Sequence, residues 1–152
     1  MGILLSAIVA IAIGSLIEWL THRFVLHNFN IKQLSRCHFG IHHRKARQNE
    51  GYDEDYKVFP PRSWDKGQYE IASLVIGVAI ASPIALIAPW VWIFLGVHAI
   101  VYYYLHRKMH LNPAWGKRWF PWHWRHHMGK DQNSNWGVTN PIFDYVFGTT
   151  KK

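Results

Sequence analysis

"IASLVIGVAIASPIALIAPWVWIFLGVHAIVYYYL", residues 71–105, contains no Asp, Glu, Lys or Arg. As one straight helix it would extend about 52 Å, well beyond a hydrocarbon core of about 30 Å. Pro89 lies near its middle and cannot donate the hydrogen bond that continues a helix. The stretch therefore reads as two spans, 67–88 and 90–110. They are joined by a tight turn at Ala88-Pro89-Trp90, with Pro83 kinking the first.

Upstream, residues 3–20, "ILLSAIVAIAIGSLIEWL", carry a single charge, Glu18. The length approaches the roughly 20 apolar residues of a spanning helix. No basic residue precedes the run, as a cleaved signal peptide would require, so it reads as a retained span over 3–21. Residues 22–66 hold nine Lys/Arg and five Asp/Glu, and residues 107–152 hold eight Lys/Arg and two Asp. The turn at Pro89 is uncharged. Basic loops stay on the cytoplasmic side, so both polar regions are expected there, with the N-terminus opposite. Trp115, Trp119, Trp122 and Trp124 suit the interface, where amphipathic rings settle. The expected fold is all-α: one domain over 1–152, an integral membrane helical bundle of about three spans. A cytoplasmic, histidine-rich helical cap is formed by 22–66 and 111–152.

The net charge is +8 with histidines neutral. A basic chain suits nucleic acid or an anionic membrane face. The apolar runs select the membrane, and no nucleic-acid-binding motif accompanies the charge. Cys37 is the only cysteine, so neither an intramolecular disulfide nor a C-x-x-C site exists.

The chain has 11 histidines, and all but His98 fall into four groups. These are "HRFVLH" (His22, His27), "HFGIHH" (His38, His42, His43), "HRKMH" (His106, His110) and "HWRHH" (His123, His126, His127). Residues three or four apart share a helix face. His38 with His42, His106 with His110, and His123 with His126 and His127 are thus expected to aim at common points. His22 and His27, five apart, need local distortion or serve two neighbouring points. His98, alone in an apolar span, is expected to hydrogen-bond within the bundle.

Imidazole suits zinc, iron, copper and nickel. A closed zinc site takes only four ligands, so ten histidines indicate two metals. Paired irons with open positions can activate dioxygen, whereas zinc has no redox chemistry. A metal transporter would carry its polar residues along the middle of its spans. Here they gather at span ends and in the adjoining polar segments.

These residues resemble the fatty acid hydroxylase/sterol desaturase superfamily of membrane di-iron oxygenases, and in pattern fatty acid 2-hydroxylases most closely. The four groups match its H-x(3–4)-H, H-x(2–3)-H-H, H-x(3)-H and H-x(2–3)-H-H boxes in order. "EWLTHRFVLH" looks like the E-x-x-x-H-R-x-x-x-H opening. "NWGVTNPIFDYVFGTT" looks like the N-x-G…D-x-x-F-G-T ending, and "FPP" at 59–61 like a common stretch after the second box. The likeness covers nearly the whole chain.

The resemblance implies a membrane lipid hydroxylase acting on a fatty acyl, sphingolipid or sterol-like C–H bond with O₂ and two electrons. Desaturation and carotenoid hydroxylation belong to the same superfamily. It implies two iron ions held by His22, His27, His38, His42, His43, His106, His110, His123, His126 and His127, with zinc as a substitute in purified protein. Glu18, Asn135 and Asp144 are implied as outer partners of these rings. Electrons are expected from an external donor, cytochrome b5- or ferredoxin-like, with a reductase. Relatives have four or more spans, so a partner or a homodimer is expected to complete the bundle. The second box has three residues between its first two histidines, where the closest relatives have two. Tyr103 stands where those relatives often have an acid.

Overall fold

A computed structural model describes residues 2–152, and every regular element in it is helical. The chain starts with α1 (Ile3–Thr21), which runs on into a wider π-type turn, His22–Leu26. A short α2 (Lys32–Ser35) passes through a second π-type segment, Arg36–His43, into α3 (Arg44–Gln48). Tight turns at Glu54–Lys57 and Trp64–Lys66 lead to α4 (Gln68–Ile80). The turn Ser82–Leu86 then connects to α5 (Pro89–Leu111), followed by α6 (Pro113–Trp119), α7 (Pro121–Met128) and α8 (Ile142–Val146).

α1 carries a stripe of small residues, Ser6, Ala10 and Gly14, spaced four apart and buried. Small residues let helix backbones approach closely when lipid supplies no hydrophobic drive between them. The stripe packs on α5, where Val91 and Leu95 join Ala10 in one apolar cluster. Continuing at the same spacing, the stripe reaches Glu18 and then His22, so the packed face of α1 leads straight to the first histidine. The opposite face, with Leu4, Ile8 and Ile11, is exposed.

Among the described residues, one helix is long and apolar enough to cross a membrane, Ile3–Leu26. The other two expected spans come out differently. α5 begins at Pro89 and covers the expected 90–110, with Pro89 at the helix start, where its missing N–H costs nothing. Its last turns carry His106 and His110 into the cap. α4 has 13 residues and measures about 20 Å, short of the bilayer core. Pro83 does not kink a longer helix. The helix ends before it, and Pro83 sits in the first turn of the separate Ser82–Leu86 element. Trp92 Nε1 donates to Val78 O at 3.0 Å and holds α4 against α5.

Two of the four interfacial tryptophan candidates are used within the cap. Trp122 Nε1 donates to Val138 O at 3.1 Å, and Trp124 lies against Gly51. Trp119 is exposed.

Candidate metal centre

The local helix geometry decides which histidines meet. Hydrogen bonding from i to i+5 puts one more residue in each turn than an α-helix holds. At His22–Leu26 the backbone makes such a bond, with His27 N donating to His22 O at 3.1 Å. Residues five apart are then stacked, and both rings enter one group. The same happens in Arg36–His43, where His38 meets His43 with their Nε2 atoms 3.2 Å apart.

Two groups of donors result: His22, His27, His38, His43 and His126 in the first, His42, His106, His110 and His127 in the second. Within each, the nitrogens lie within 4.8 Å of one another. Two imidazole nitrogens on one ion, each about 2.1 Å from it, stand at most about 4.2 Å apart, so closing onto an ion needs shifts of a few tenths of an ångström. His123 lies beside the second group, with its Nε2 3.3 Å from His110 Nε2. The groups adjoin one another, and the rings of His43 and His127 stack across the divide at 4.0 Å.

Adjacent residues on a helix point about 100° apart, so an H-H pair cannot serve one point. His42 accordingly enters the second group and His43 the first, while His126 enters the first and His127 the second. This corrects two sequence expectations. His38 pairs with His43 rather than His42, because the π-type segment shifts the face by one residue. His126 and His127 diverge rather than converge.

The outer ring nitrogens are held by a built shell. His22 Nδ1–H donates to Trp136 O at 2.6 Å, His110 Nδ1–H to Gly51 O at 2.8 Å and His126 Nδ1–H to Ser134 O at 2.7 Å. His42 Nδ1–H donates to Asp53 at 2.9 Å and His106 Nδ1–H to Glu70 at 2.6 Å. Tyr56 OH donates to the other oxygen of Glu70 at 2.7 Å. His38 Nδ1 is 3.2 Å from Tyr69 OH. A carbonyl or carboxylate can only accept, so these contacts fix the proton on Nδ1 and leave a lone pair on Nε2 in five rings.

Burial disfavours the charged form of seven of these rings. It pushes His27 down to about 4 and His42 to about 3, and holds His38, His43, His123, His126 and His127 well below the ordinary histidine range. Six ring nitrogens of these histidines are buried without a hydrogen-bond partner, Nε2 of His42, His106 and His126 among them. A buried polar atom left unpaired costs about 1–3 kcal/mol, so six at one place rival the whole stability of a domain. Converging lone pairs with no protein partner fit a cation.

Glu18, Asn135 and Asp144 act through the backbone that carries two of the acceptors. Asp144 accepts from Trp136 N and Gly137 N, both at 2.8 Å, and from Trp19 Nε1 and Thr149 Oγ1. Glu18 accepts from Val138 N, and from Thr139 N and Thr139 Oγ1 at 2.9 Å. Asn135, at φ 55, exchanges bonds with Lys151. Together they clamp residues 134–139, whose carbonyls hold His22 and His126. Sequence reasoning missed Asp53, Tyr56, Tyr69 and Glu70. Glu70 had a signal: it is the one acid inside the expected span 67–88, and an ionisable residue there is functional by default. Asp53 sits in an ordinary acidic run and had none.

Residues 7–149 match the family described as fatty acid hydroxylase. The chain belongs to that family. A dihydroceramide fatty acyl 2-hydroxylase of Arabidopsis thaliana is 29% identical over 160 residues, which cover 98% of this chain and 64% of the relative. The chain thus spans less than two thirds of that relative's length. No solved structure matches.

For a member of this family, the space beside the histidines matters as much as the donors. A cavity of about 110 Å³ lies between α1, α4 and α5. A single water needs only about 10–15 Å³ on this measure. Its walls are almost wholly apolar, with Leu74, Val78 and Leu95 among them. His22 and Glu70 line its cap end and connect it to both histidine groups. His98 also lines it. Its Nε2 is buried 3.5 Å from Glu18 Oε2 without making a hydrogen bond, so the bond expected within the bundle is not made at that atom.

Proposed function

We propose that this chain is a membrane-embedded lipid hydroxylase with a di-iron centre, inserting oxygen from O₂ into a C–H bond of an acyl chain. One observation carries the reading: an apolar cavity that ends on His22, at the edge of two adjoining sets of buried histidine donors. Bound iron would supply the redox chemistry and dioxygen activation. The chain's own residues do the rest. His22, His27, His38, His43 and His126 would hold one ion. His42, His106, His110 and His127 would hold the other, with His123 beside it. Asp53 and Glu70 keep the protons of His42 and His106 on Nδ1 and orient those rings. Leu74, Val78 and Leu95 hold the acyl chain straight and exclude water from the reacting end.

The membrane placement rests on side-chain exposure. Ile80, Leu86 and Ile87 are 74%, 87% and 87% exposed at the far end of the α4–α5 hairpin, alongside the bare face of α1. A continuous apolar surface of this kind suits lipid. We place the α4–α5 hairpin in the bilayer with α1, and the basic cap at the cytoplasmic face. Two electrons per turnover would come from an external cytochrome b5- or ferredoxin-like donor and its reductase, approaching the cap. A homo-oligomer belongs to the same proposal.

The test combines metal analysis of purified protein with lipid profiling after co-expression with a reductase and donor. Two metals per chain, iron in the active form, and new hydroxylated lipids are expected. Fewer than one metal per chain together with an unchanged lipid profile would overturn the reading. Desaturated products in place of hydroxylated ones would move the chain to the desaturase branch.

A further inference from the structure

Several polar side chains line the acyl cavity, Glu18, Ser73 and Tyr102 among them, but among the described residues His98 is the one with a buried nitrogen that lacks a hydrogen-bond partner. His98 projects from α5 into it, 12% exposed at the side chain, with Nε2 buried and unpartnered. Glu18 Oε2 is nearest at 3.5 Å, beyond good hydrogen-bond range, and already accepts from Thr139 Oγ1. The opposite wall is cut to admit the ring. A Cβ on Gly14 would fall 2.6 Å from the His98 imidazole. Burying an unpaired imidazole in an apolar slot is costly, and a tight helix–helix packing would favour Leu or Phe there. A hydrogen-bonding residue kept at that cost implies something to bond.

Its depth follows from helix geometry. His98 precedes His106, and Gly14 precedes His22, by eight residues each, or about 12 Å along the axis. Leu95 and Ala81 also line the cavity. A chain that presents its reacting carbon at His22 would pass His98 well along its length.

We infer that His98 is a specificity residue that hydrogen-bonds an oxygen substituent, a hydroxyl or carbonyl, on the substrate chain about 12 Å from the carbon oxidised. The inference rests on the acyl-cavity assignment above and deepens it. The preferred substrate is then an acyl lipid already oxygenated within its chain, not a plain saturated one. A reaction that oxygenates the mid-chain must precede this one.

Binding of two probes to the intact, metal-loaded protein in detergent tests this: stearic acid and a series of mid-chain hydroxystearic acids. One hydroxystearate position is expected to bind about five- to tenfold tighter than stearic acid, as one net hydrogen bond allows. His98→Leu should abolish that preference while binding stearic acid at least as well, and so report its own folding. His98→Gln, which keeps a donor and an acceptor, should retain part of it and serves if the leucine variant does not fold. Equal binding of all probes by the native protein, or a preference unchanged in both variants, would overturn the inference. Lipid turnover by the native enzyme, measured separately, decides the hydroxylase reading. An enzyme that oxidises stearoyl lipids without any position preference refutes the role of His98 alone.

Discussion

His42 and His43 are neighbours in sequence and donate to different histidine groups, and His126 and His127 repeat the arrangement. Each H-H pair thus straddles the two sites. Two short helical segments, in contact where the His43 and His127 rings stack, supply donors to both.

This geometry predicts how metal is lost on mutation. His43→Ala with His126→Ala removes two donors from one site and should cost about one metal per chain. His42→Ala with His43→Ala removes one from each and should weaken both. Metal stoichiometry after dialysis against a fixed weak chelator distinguishes the two double variants. Identical losses would show that the donors are not partitioned in this way.

Glu70 accepts from His106 Nδ1 at 2.6 Å and from Tyr56 OH at 2.7 Å. Glu70→Gln keeps the shape but weakens the hold on the ring. Loss of an outer partner of this kind costs roughly 10–100-fold in metal affinity or activity. Tyr56→Phe, which leaves the Glu70–His106 bond in place, should cost less. Competition with a metallochromic indicator gives both affinities, and a Tyr56→Phe effect equal to that of Glu70→Gln would contradict the assignment.

Asp144 is fully buried and accepts four hydrogen bonds. Asp144→Ala leaves the backbone N–H groups of Trp136 and Gly137 without partners, each worth about 1–3 kcal/mol, and leaves the Trp19 indole N–H with Thr149 Oγ1 alone. The variant should unfold several kcal/mol more easily, and should lose metal as well because Trp136 and Ser134 would no longer be fixed. Denaturant titration of the metal-free and metal-loaded forms measures both effects.

Acid should weaken the metal-free protein. His27 and His42 sit at about 4 and about 3, below the ordinary value of 6.5, because burial penalises their charged forms. The folded value lies below the unfolded one, so the neutral rings' contribution is complete above about pH 6.5. It drains away as pH falls toward 4 and then 3, at about 1.4 kcal/mol per unit for each ring. Thermal melts of the chelator-treated protein between pH 7 and 4 should show a steadily falling Tm. A flat profile over that range would contradict the burial of these rings.

The sequence was most informative where one residue type recurs at fixed spacing. The ten clustered histidines and the boundaries of α1 and α5 could be read directly from it. The partition of the histidines could not, because it depends on two π-type segments that no propensity announces. The extra residue between His38 and His42 was the visible trace, since a wider turn absorbs one more residue. The short α4 was hidden because 71–105 is apolar throughout, and periodicity cannot mark an end within such a run. The carbonyls of Gly51, Ser134 and Trp136 were invisible in principle, since a backbone acceptor has no sequence signature.

The clamp on residues 134–139 bears on how the protein matures. Glu18, next to the first histidine box, finds its partners 120 and 121 residues later, at Val138 and Thr139. The ribosome makes every histidine donor before it makes the segment that orients His22 and His126. Until translation has moved past Thr149, His22 and His126 therefore lack the fixed carbonyls that orient them. Under the proposed di-iron reading, a fully oriented metal site forms only after residues 134–149 have been made.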